Sequence, residues 1–243
     1  MANNKLDVRV YPIDEPKGST VAFASVAVDD LVAIRGIRIV DGEKGLFVTM
    51  PQSKSEKEEG KVEYHDIAHP LNGDLRKDMT AAVLDEYKRV AVLSPEERGY
   101  EAPDMSLANS KRLEDIKLDI RVYPLDDPKG NTKAFASVAI DDVAIRGVRV
   151  VDGEKGLFVT MPQSRSEKEQ GVVDYHDIAF PLNGDVRKEI SKIVLDEYKA
   201  AEKSVDRKQS LADGLAAGAA KAAEHTAAPR AAAAKSYGAG ALE

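Results

Sequence analysis

The chain has 243 residues, a formal net charge of −7 and no cysteine. The lack of cysteine excludes disulfides and thiolate metal sites, and it fits a reducing compartment. The first residues lack the basic-then-apolar pattern of a signal peptide, and no apolar run approaches the roughly 18 residues that span a membrane, so we expect a cytoplasmic protein. The acidic balance argues against a globally basic nucleic-acid-binding protein, so any phosphate-binding surface must be a local patch.

The sequence contains the same unit twice. The fourteen residues VDGEKGLFVTMPQS occur at 40–53 and again at 151–164, and about three-quarters of the surrounding aligned positions are identical. Two copies of a unit of just over 80 residues indicate a duplicated domain, because solenoids use more and shorter repeats. We predict a first domain at 6–88, a linker at 89–117, a second domain at 118–199 and an Ala/Gly-rich, disordered tail at 200–243.

The first two-thirds of each unit is predicted to form strands. Residues 6–11 alternate apolar and polar side chains, and the segments 20–28, 32–40 and 46–50 are rich in β-branched and small apolar residues. Between the second and third strands the second repeat has Asp141-Asp142, a two-residue hairpin connection, whereas the first repeat inserts Leu31. We expect this insertion to lengthen the turn and to leave the strand registers intact.

A change of periodicity marks the end of each unit. Residues 52–61 are strongly charged and carry no apolar side chain, so we predict an exposed loop before a strand at 62–68. From 74 to 88 apolar residues recur every fourth position, which predicts an amphipathic helix with Asn72 or Asp74 as its N-cap. These apolar residues are Leu75, Met79, Val83 and Tyr87, with Val186, Ile190, Val194 and Tyr198 in the second repeat. Each unit is therefore predicted to be an α+β domain, a small antiparallel β-sheet followed by a C-terminal amphipathic helix.

Two His-Asp dipeptides are the best candidates for catalysis or metal binding. His65-Asp66 and His176-Asp177 could share general-base work, and His69 adds a second imidazole in the first repeat. The second repeat has Phe180 at the position of His69, so a role for that imidazole is not kept in both copies. The sequence shows no nucleophile with a matching base, no phosphate-binding glycine loop and no HExxH motif. We therefore expect these histidines to be structural, and predict no enzyme, no cofactor and no metal.

The recurring basic residues are a stronger signal. Arg9, Arg35, Arg38, Arg76, Lys77 and Lys88 have the basic counterparts Arg121, Arg146, Arg149, Arg187, Lys188 and Lys199. At the start of the predicted helix, Arg76 and Lys77 lie beside free amide donors that can bind an anion. The charged loop adds Lys54 and Arg165, each flanked by serines that can donate to phosphate. The predicted nucleic-acid-binding residues are Lys54, Arg76, Lys77, Arg165, Arg187 and Lys188, and the alternative for each is a solvated surface charge.

Few aromatic residues are available to stack on unpaired bases. We expect only Tyr64 with Tyr175, and Tyr11 with Tyr123, to be exposed for stacking. Stacking on tyrosine is therefore a minor part of the prediction from sequence.

Several motifs together resemble the bacterial SpoVG (stage V sporulation protein G, septation regulator) family. They are DVRVYP, ASVAVDD, IRIVDGEKGLFVTMPQS, YHDIAHPLN and VLDEYK, and the similarity covers both 6–88 and 118–199. The resemblance implies a small β-sheet domain with a C-terminal helix, a homodimer, and a DNA- and RNA-binding regulator of septation, sporulation or related gene expression. It also implies binding through the loop after Met-Pro and through the helix, here 53–61 with Arg76 and Lys77, and 164–168 with Arg187 and Lys188.

The sequence departs from the family pattern in ways that bear on function. The unit is doubled, so we predict an intrachain pseudo-dimer, with pairing between two chains as the alternative. Glu56, Glu58 and Glu59 dilute Lys54 in a loop that is usually basic, and Phe180 replaces the histidine of the DIAHP-type motif. The leading prediction is a nucleic-acid-binding regulator. The alternative is a protein-interaction scaffold that has lost nucleic-acid binding.

Overall fold

The computed structural model describes residues 4–56, 61–94, 96–98, 113–128, 130–167 and 173–203. The first repeat forms β1 (Leu6–Pro12), β2 (Thr20–Val28), β3 (Val32–Gly42), β4 (Gly45–Thr49), β5 (Gln52–Glu56), β6 (Val62–Asp66), β7 (Ala68–Pro70) and α1 (Gly73–Ala91). The second forms β8 (Leu118–Pro124), β9 (Thr132–Ile140), β10 (Val143–Gly153), β11 (Gly156–Thr160), β12 (Gln163–Glu167), β13 (Val173–Asp177), β14 (Ala179–Pro181) and a helix α2 over residues 184–203. Most of the predicted linker and the tail from 204 onward lie outside the described residues.

Each repeat is an antiparallel sheet covered on one face by its helix. β1, β2, β3 and β4 pair in chain order, as do β8, β9, β10 and β11. Along β2 the side chains of Ala22, Ala24, Val26 and Val28 are buried while Phe23 between them is exposed, so one face of the sheet forms the core. Helix α1 packs on β1, β2 and β4 and buries Leu75, Met79 and Val83. The predicted α+β class and the helical stripe are confirmed.

An asparagine side chain accepts a backbone hydrogen bond at the start of each helix. The Asn72 side chain accepts a hydrogen bond from the backbone N–H of Leu75 at 2.6 Å, which selects Asn72 over Asp74 as the N-cap of α1. In α2 the Asn183 side chain accepts from the N–H of Asp185 at 2.7 Å. No helix in the described parts of the chain is long and apolar enough to span a membrane.

The two repeats exchange their last strands. β7 of the first repeat pairs with β10 of the second, with His69 opposite Ala144, and β14 of the second pairs with β3 of the first, with Phe180 opposite Ala33. Backbone hydrogen bonds extend each junction, from the Arg35 N–H to the Ile178 carbonyl and from the Arg146 N–H to the Ile67 carbonyl, both 2.7 Å. The buried residues of both repeats form one continuous cluster, so the fold is an intrachain pseudo-dimer within one compact unit, Met1–Lys199.

The predicted loop at 52–61 is partly wrong. Residues 52–56 form β5, whose five side chains are all exposed and which pairs with β6 from Gln52 opposite Asp66 to Glu56 opposite Val62. A two-stranded ribbon needs only backbone hydrogen bonds along its inner edges, so the lack of apolar side chains did not prevent a strand. The predicted strand at 62–68 is also divided, because the chain turns at Ile67 from the hairpin into the other repeat.

The inserted Leu31 lengthens one turn and changes no register. Val28 pairs with Val32 across a three-residue connection, and Ile140 pairs with Val143 across two residues, while the pairing further along both strands is equivalent. Leu31 is buried, and its carbonyl accepts a hydrogen bond from the Leu182 N–H at 2.8 Å at the junction of the repeats. The expectation for this insertion is confirmed.

Candidate nucleic-acid interface

A β-bulge places two arginines of each repeat on one side of the sheet. Between Ala24 and Val26 the register of β2 with β3 shifts by one residue, so Arg35 and Gly36 occupy a place where one residue would fit. Gly36 has φ +73°, in the region that favours glycine. Because of the extra residue, Arg35 and Arg38 share a face although an odd number of positions separates them. Gly147, at φ +77°, marks the same bulge in β10.

The paired arginines of the first repeat line a cleft between the repeats. This cleft has a volume of about 290 Å³, and its first wall contains Arg35, Arg38 and Tyr64. The opposite wall belongs to the second repeat and contains His176 and Asp177. The cleft is thus formed only when the repeats pair, and it brings guanidinium, phenol and imidazole groups to one opening.

An equivalent cleft lies at the other junction. Its volume is about 300 Å³, and it is lined by Arg146, Arg149 and Tyr175 of the second repeat with His65 and Asp66 of the first. The two clefts therefore present the same residue types in the same arrangement. A single chain offers two like sites, each built from both repeats.

The carboxylate in each cleft is already paired. Asp177 accepts from the Arg187 guanidinium at 2.7 Å and from the Gln163 amide at 2.9 Å. In the first repeat, Asp66 accepts from the Gln52 amide at 3.0 Å and lies 3.6 Å from the Arg76 guanidinium. The helix arginine therefore pairs with the aspartate, and two further guanidinium groups, from the sheet, line the same opening.

Position 69 and its counterpart differ between the two junctions. The Phe180 ring lies under the Arg35 guanidinium, whose central carbon is 4.9 Å from the ring centroid, a cation–π geometry. At the other junction His69 takes this place, and its Nδ1 is buried without a hydrogen bond. Burial lowers the pKa of His69, and the charges of Arg146 and Arg76 lower it further, while Asp66 opposes them. A neutral imidazole is therefore favoured there.

The structure distributes the six predicted binding residues along the hairpins and the helix starts. Lys54 and Arg165 lie directly opposite Tyr64 and Tyr175 in the hairpins, and Lys54 pairs with Glu56 at 2.9 Å. Arg76 and Arg187 contact the cleft aspartates, as described above. Lys77 and Lys188 are strongly exposed, with Asp74 at 3.8 Å and Asp185 at 3.1 Å. Exposed ion pairs of this kind are weak, so these lysines remain able to exchange a carboxylate for a phosphate.

Four arginines of the clefts were absent from the predicted set. They are Arg35, Arg38, Arg146 and Arg149, which belong to the recurring basic residues of the sequence. A regular strand would place Arg35 and Arg38 on opposite faces. The signal that could have found them is Gly36, an isolated glycine inside a strand pattern, which indicates a bulge. Among the described residues no group of three or more His, Asp or Glu side chains could hold a metal ion.

The fold and its clefts define a class of small α+β domain that completes itself by exchanging a strand with a second copy. Comparison with known families gives its name. The SpoVG family model matches residues 4–89 and 116–200, so this chain belongs to the SpoVG family and contains two copies of its domain.

Individual relatives match one repeat each. The chain is 41% identical over 86 residues to "Putative septation protein SpoVG" of Myxococcus xanthus, a match that covers 35% of this chain and 81% of the relative. It is 40% identical over 86 residues to the protein of that name from Lachnospira eligens, covering 35% and 92%, and 36% identical over 94 residues to that of Clostridium perfringens, covering 39% and 99%. A match to one repeat covers most of each of these relatives, so each of them contains one copy of the domain where this chain contains two.

Proposed function

We propose that this chain is a cytoplasmic, nucleic-acid-binding regulator of septation, sporulation or related gene expression, in which the linked repeats present two equivalent binding sites. The observation that carries the proposal is the pair of clefts. In each cleft a β-bulge brings two arginines to the same face of the sheet, and a helix arginine lies beside them. Arginine forks suit phosphate oxygens, which take most protein–nucleic acid hydrogen bonds. The names of the relatives support the role in septation.

Two linked sites compensate for weak binding at each. The overall charge is acidic and several lysines are paired with carboxylates, so we expect modest affinity per cleft. Once one cleft holds a strand, the second binds at a high effective concentration, which raises the apparent affinity without any additional interaction. An oligonucleotide long enough to reach both clefts is therefore expected to bind more tightly than two short ones.

The test compares two pairs of substitutions that remove the same charge. Arg38→Ala with Arg149→Ala removes one arginine from each cleft, and Lys88→Ala with Lys199→Ala removes one lysine from each helix outside the clefts. We expect the arginine pair to weaken binding of a labelled oligonucleotide and to reduce the slope of log affinity against log salt by about 2, because each phosphate bound by an arginine contributes about 1. The lysine pair is expected to leave the slope nearly unchanged.

Fluorescence anisotropy between about 50 and 200 mM salt measures both quantities over the range where the electrostatic contribution changes most. Equal effects of the two pairs would contradict the assignment of the clefts, because general charge would then explain binding. The same titration with Arg76→Ala and Arg187→Ala tests the helix arginines. No binding to DNA or RNA at the lowest salt would contradict the proposed function itself.

The second candidate is a protein-interaction scaffold. The observations that favour it are the net charge of −7 and the ion pairs of Lys54, Lys77 and Lys188, which leave part of the basic surface neutralised. Absence of nucleic-acid binding in the anisotropy experiment would make this the better proposal, and the clefts would then be tested against acidic peptides.

A further inference from the structure

The face of each sheet that lies opposite the helix carries exposed aromatic rings. Phe23 is 45% exposed and Phe47 47% exposed on the first sheet, and their counterparts Phe135 and Phe158 are 42% and 46% exposed on the second. The alternation of buried and exposed residues along β2 places Phe23 on this outer face, because Ala22 and Ala24 point into the core. Exposed apolar side chains that form a contiguous patch with polar residues at its edge mark an interaction site.

On each sheet an exposed phenylalanine lies directly between a tyrosine and an arginine of the neighbouring strands. Phe23 lies directly opposite Tyr11 on one side and Arg38 on the other, and Phe47 is opposite Val40, two residues further along β3. Directly opposed side chains have Cβ atoms about 5 Å apart, so Tyr11, Phe23 and Arg38 form a continuous row across three strands. Tyr123, Phe135 and Arg149 repeat this row on the second sheet.

Phe47 lies along the sheet surface. A Cβ atom at Gly42 would be 2.8 Å from Cε1 of the Phe47 ring, and a Cβ atom at Gly153 would be 2.8 Å from Cε1 of the Phe158 ring. The ring therefore occupies the space that a side chain at Gly42 would need, and it remains half exposed to solvent. This gives Phe47 a structural reason for its position that Phe23 lacks.

Arg38 joins the aromatic row to the cleft. Arg38 is paired with Phe23 across the two strands, so both side chains lie on the outer face. The Arg38 side chain is also part of the wall of the 290 Å³ cleft. Among the described residues no carboxylate lies within 4 Å of the Arg38 or Arg149 guanidinium, whereas Arg9 and Arg121 on the same face have Asp7 at 3.8 Å and Asp119 at 3.3 Å. Planar rings and available guanidinium groups alternate on one continuous surface.

We propose that the outer faces of both sheets are base-stacking surfaces that bind single-stranded nucleic acid through its unpaired bases. Bases stack on Phe23 and Phe47, and on Phe135 and Phe158, while Arg38 and Arg149 hold the phosphates that lead into the clefts. The inference rests on the proposed function and specifies its ligand. Aromatic stacking is available only to unpaired bases, because a duplex already stacks its bases internally. The interleaved arginines favour this occupant over an apolar protein surface, which would leave their charges unpaired.

The chain contains no tryptophan, so one introduced indole reports on one place. Phe23→Trp places it in the aromatic row, and Val92→Trp places it at the C-cap of α1, where Val92 is 83% exposed. With the full chain at low salt, ten-residue oligothymidylate is expected to quench the indole fluorescence of the Phe23→Trp variant and not that of the Val92→Trp variant. A ten-residue abasic strand, which carries the phosphates without bases, is expected to quench neither.

The affinity measurement uses Phe23→Leu with Phe135→Leu, which keeps apolar side chains in the strands and removes the rings. We expect affinity for oligothymidylate to fall by about 10-fold or more, because each sheet then lacks one ring on which a base can stack, with little change for the abasic strand or a duplex. An unchanged thermal midpoint shows that the variant is folded. Phe47 is left intact because its ring packs over Gly42.

The outcomes separate this inference from the proposed function. Equal binding of the abasic strand, or unchanged oligothymidylate affinity in the leucine variant, would overturn the stacking surface while leaving phosphate binding in place. Self-association that is lost in the leucine variant, without any effect on oligonucleotide binding, would instead assign the face to a second copy of the chain and overturn the inference. Failure of every oligonucleotide to bind would remove the proposed function and the inference together.

Discussion

A single side chain distinguishes the two junctions. His69 and Phe180 hold equivalent places beside Arg146 and Arg35, but only the imidazole can take a proton. Sequence comparison of the two repeats is enough to identify the substitution. Its buried, unbonded Nδ1 depends on the approach of the other repeat, which no local pattern predicts.

We predict that His69 makes the protein less stable at acidic pH. The pKa of His69 in the native state lies below its ordinary value near 6.5, so the unfolded chain binds a proton first as the pH falls. Above about pH 6.5 the imidazole is neutral in both the folded and the unfolded chain, so His69 does not affect the free energy of unfolding through its proton. Below that pH the free energy of unfolding falls progressively. In His69→Phe, which copies the second repeat, the fall in thermal midpoint between about pH 7.5 and 5.5 should be smaller than in the parent chain.

Phe180→His is the matched reverse change, and it should make the pH dependence steeper because it adds a second imidazole beside Arg35. Comparing variants removes the contributions of the other titrating groups, which are common to all three proteins. Identical pH profiles for the parent and His69→Phe would contradict the role of His69.

At the scale of the element, the bulges in β3 and β10 matter most for the site. Regular periodicity was enough to predict the core strands and the helical stripe from Leu75 to Val83, because those elements bury one face against their own repeat. Periodicity did not predict β5, because the pairing of that strand depends on backbone hydrogen bonds. It also did not predict the bulge in β3, where one extra residue changes the face of the sheet on which Arg35 lies.

We predict that Gly36→Ala with Gly147→Ala destabilises the fold and weakens nucleic-acid binding. A Cβ at position 36 would lie 3.9 Å from Cβ of Pro51, an ordinary contact, so the cost arises from the positive φ and amounts to about 1–2 kcal/mol at each site. Relaxation of the bulge would also turn Arg35 and Arg146 away from their clefts. Urea unfolding measures the first effect and the salt dependence of oligonucleotide binding the second.

The control is Gly73→Ala with Gly184→Ala at the helix starts, where an added Cβ meets nothing within 4 Å and φ is not positive. Because alanine favours helix over glycine, this pair should be neutral or slightly stabilising. A loss of stability equal to that of the bulge variant would show that the bulge glycines have no special conformational role.

At the scale of the whole molecule, the exchanged strands make each repeat incomplete without the other. The three residues of β14 are all buried, yet among the described strands they pair with β3 of the first repeat and with none of the second. The duplication was evident from the sequence and predicted pairing between copies. The identity of the exchanged strand was not, because β7 and β14 are short and carry no signal of their own.

We predict that residues 113–203 expressed alone form a homodimer in which β14 of one copy pairs with β10 of the other. The isolated repeat would otherwise leave a buried strand unpaired and an edge of β10 open. Sedimentation equilibrium should give twice the monomer mass, and the thermal midpoint should rise with concentration. The full chain should show a midpoint independent of concentration, and a folded monomer of 113–203 would contradict the prediction.

Joining both halves in one polypeptide also changes what mutation can do to them. In an assembly of two identical chains every substitution appears twice, so a change that benefits one junction must be tolerated at the other. Here each half mutates separately. The two repeats already differ at several positions, among them the inserted Leu31, Lys133 and Phe180. Natural selection can therefore keep one cleft for the ancestral ligand while the other drifts toward a different sequence or strand length, without a second gene.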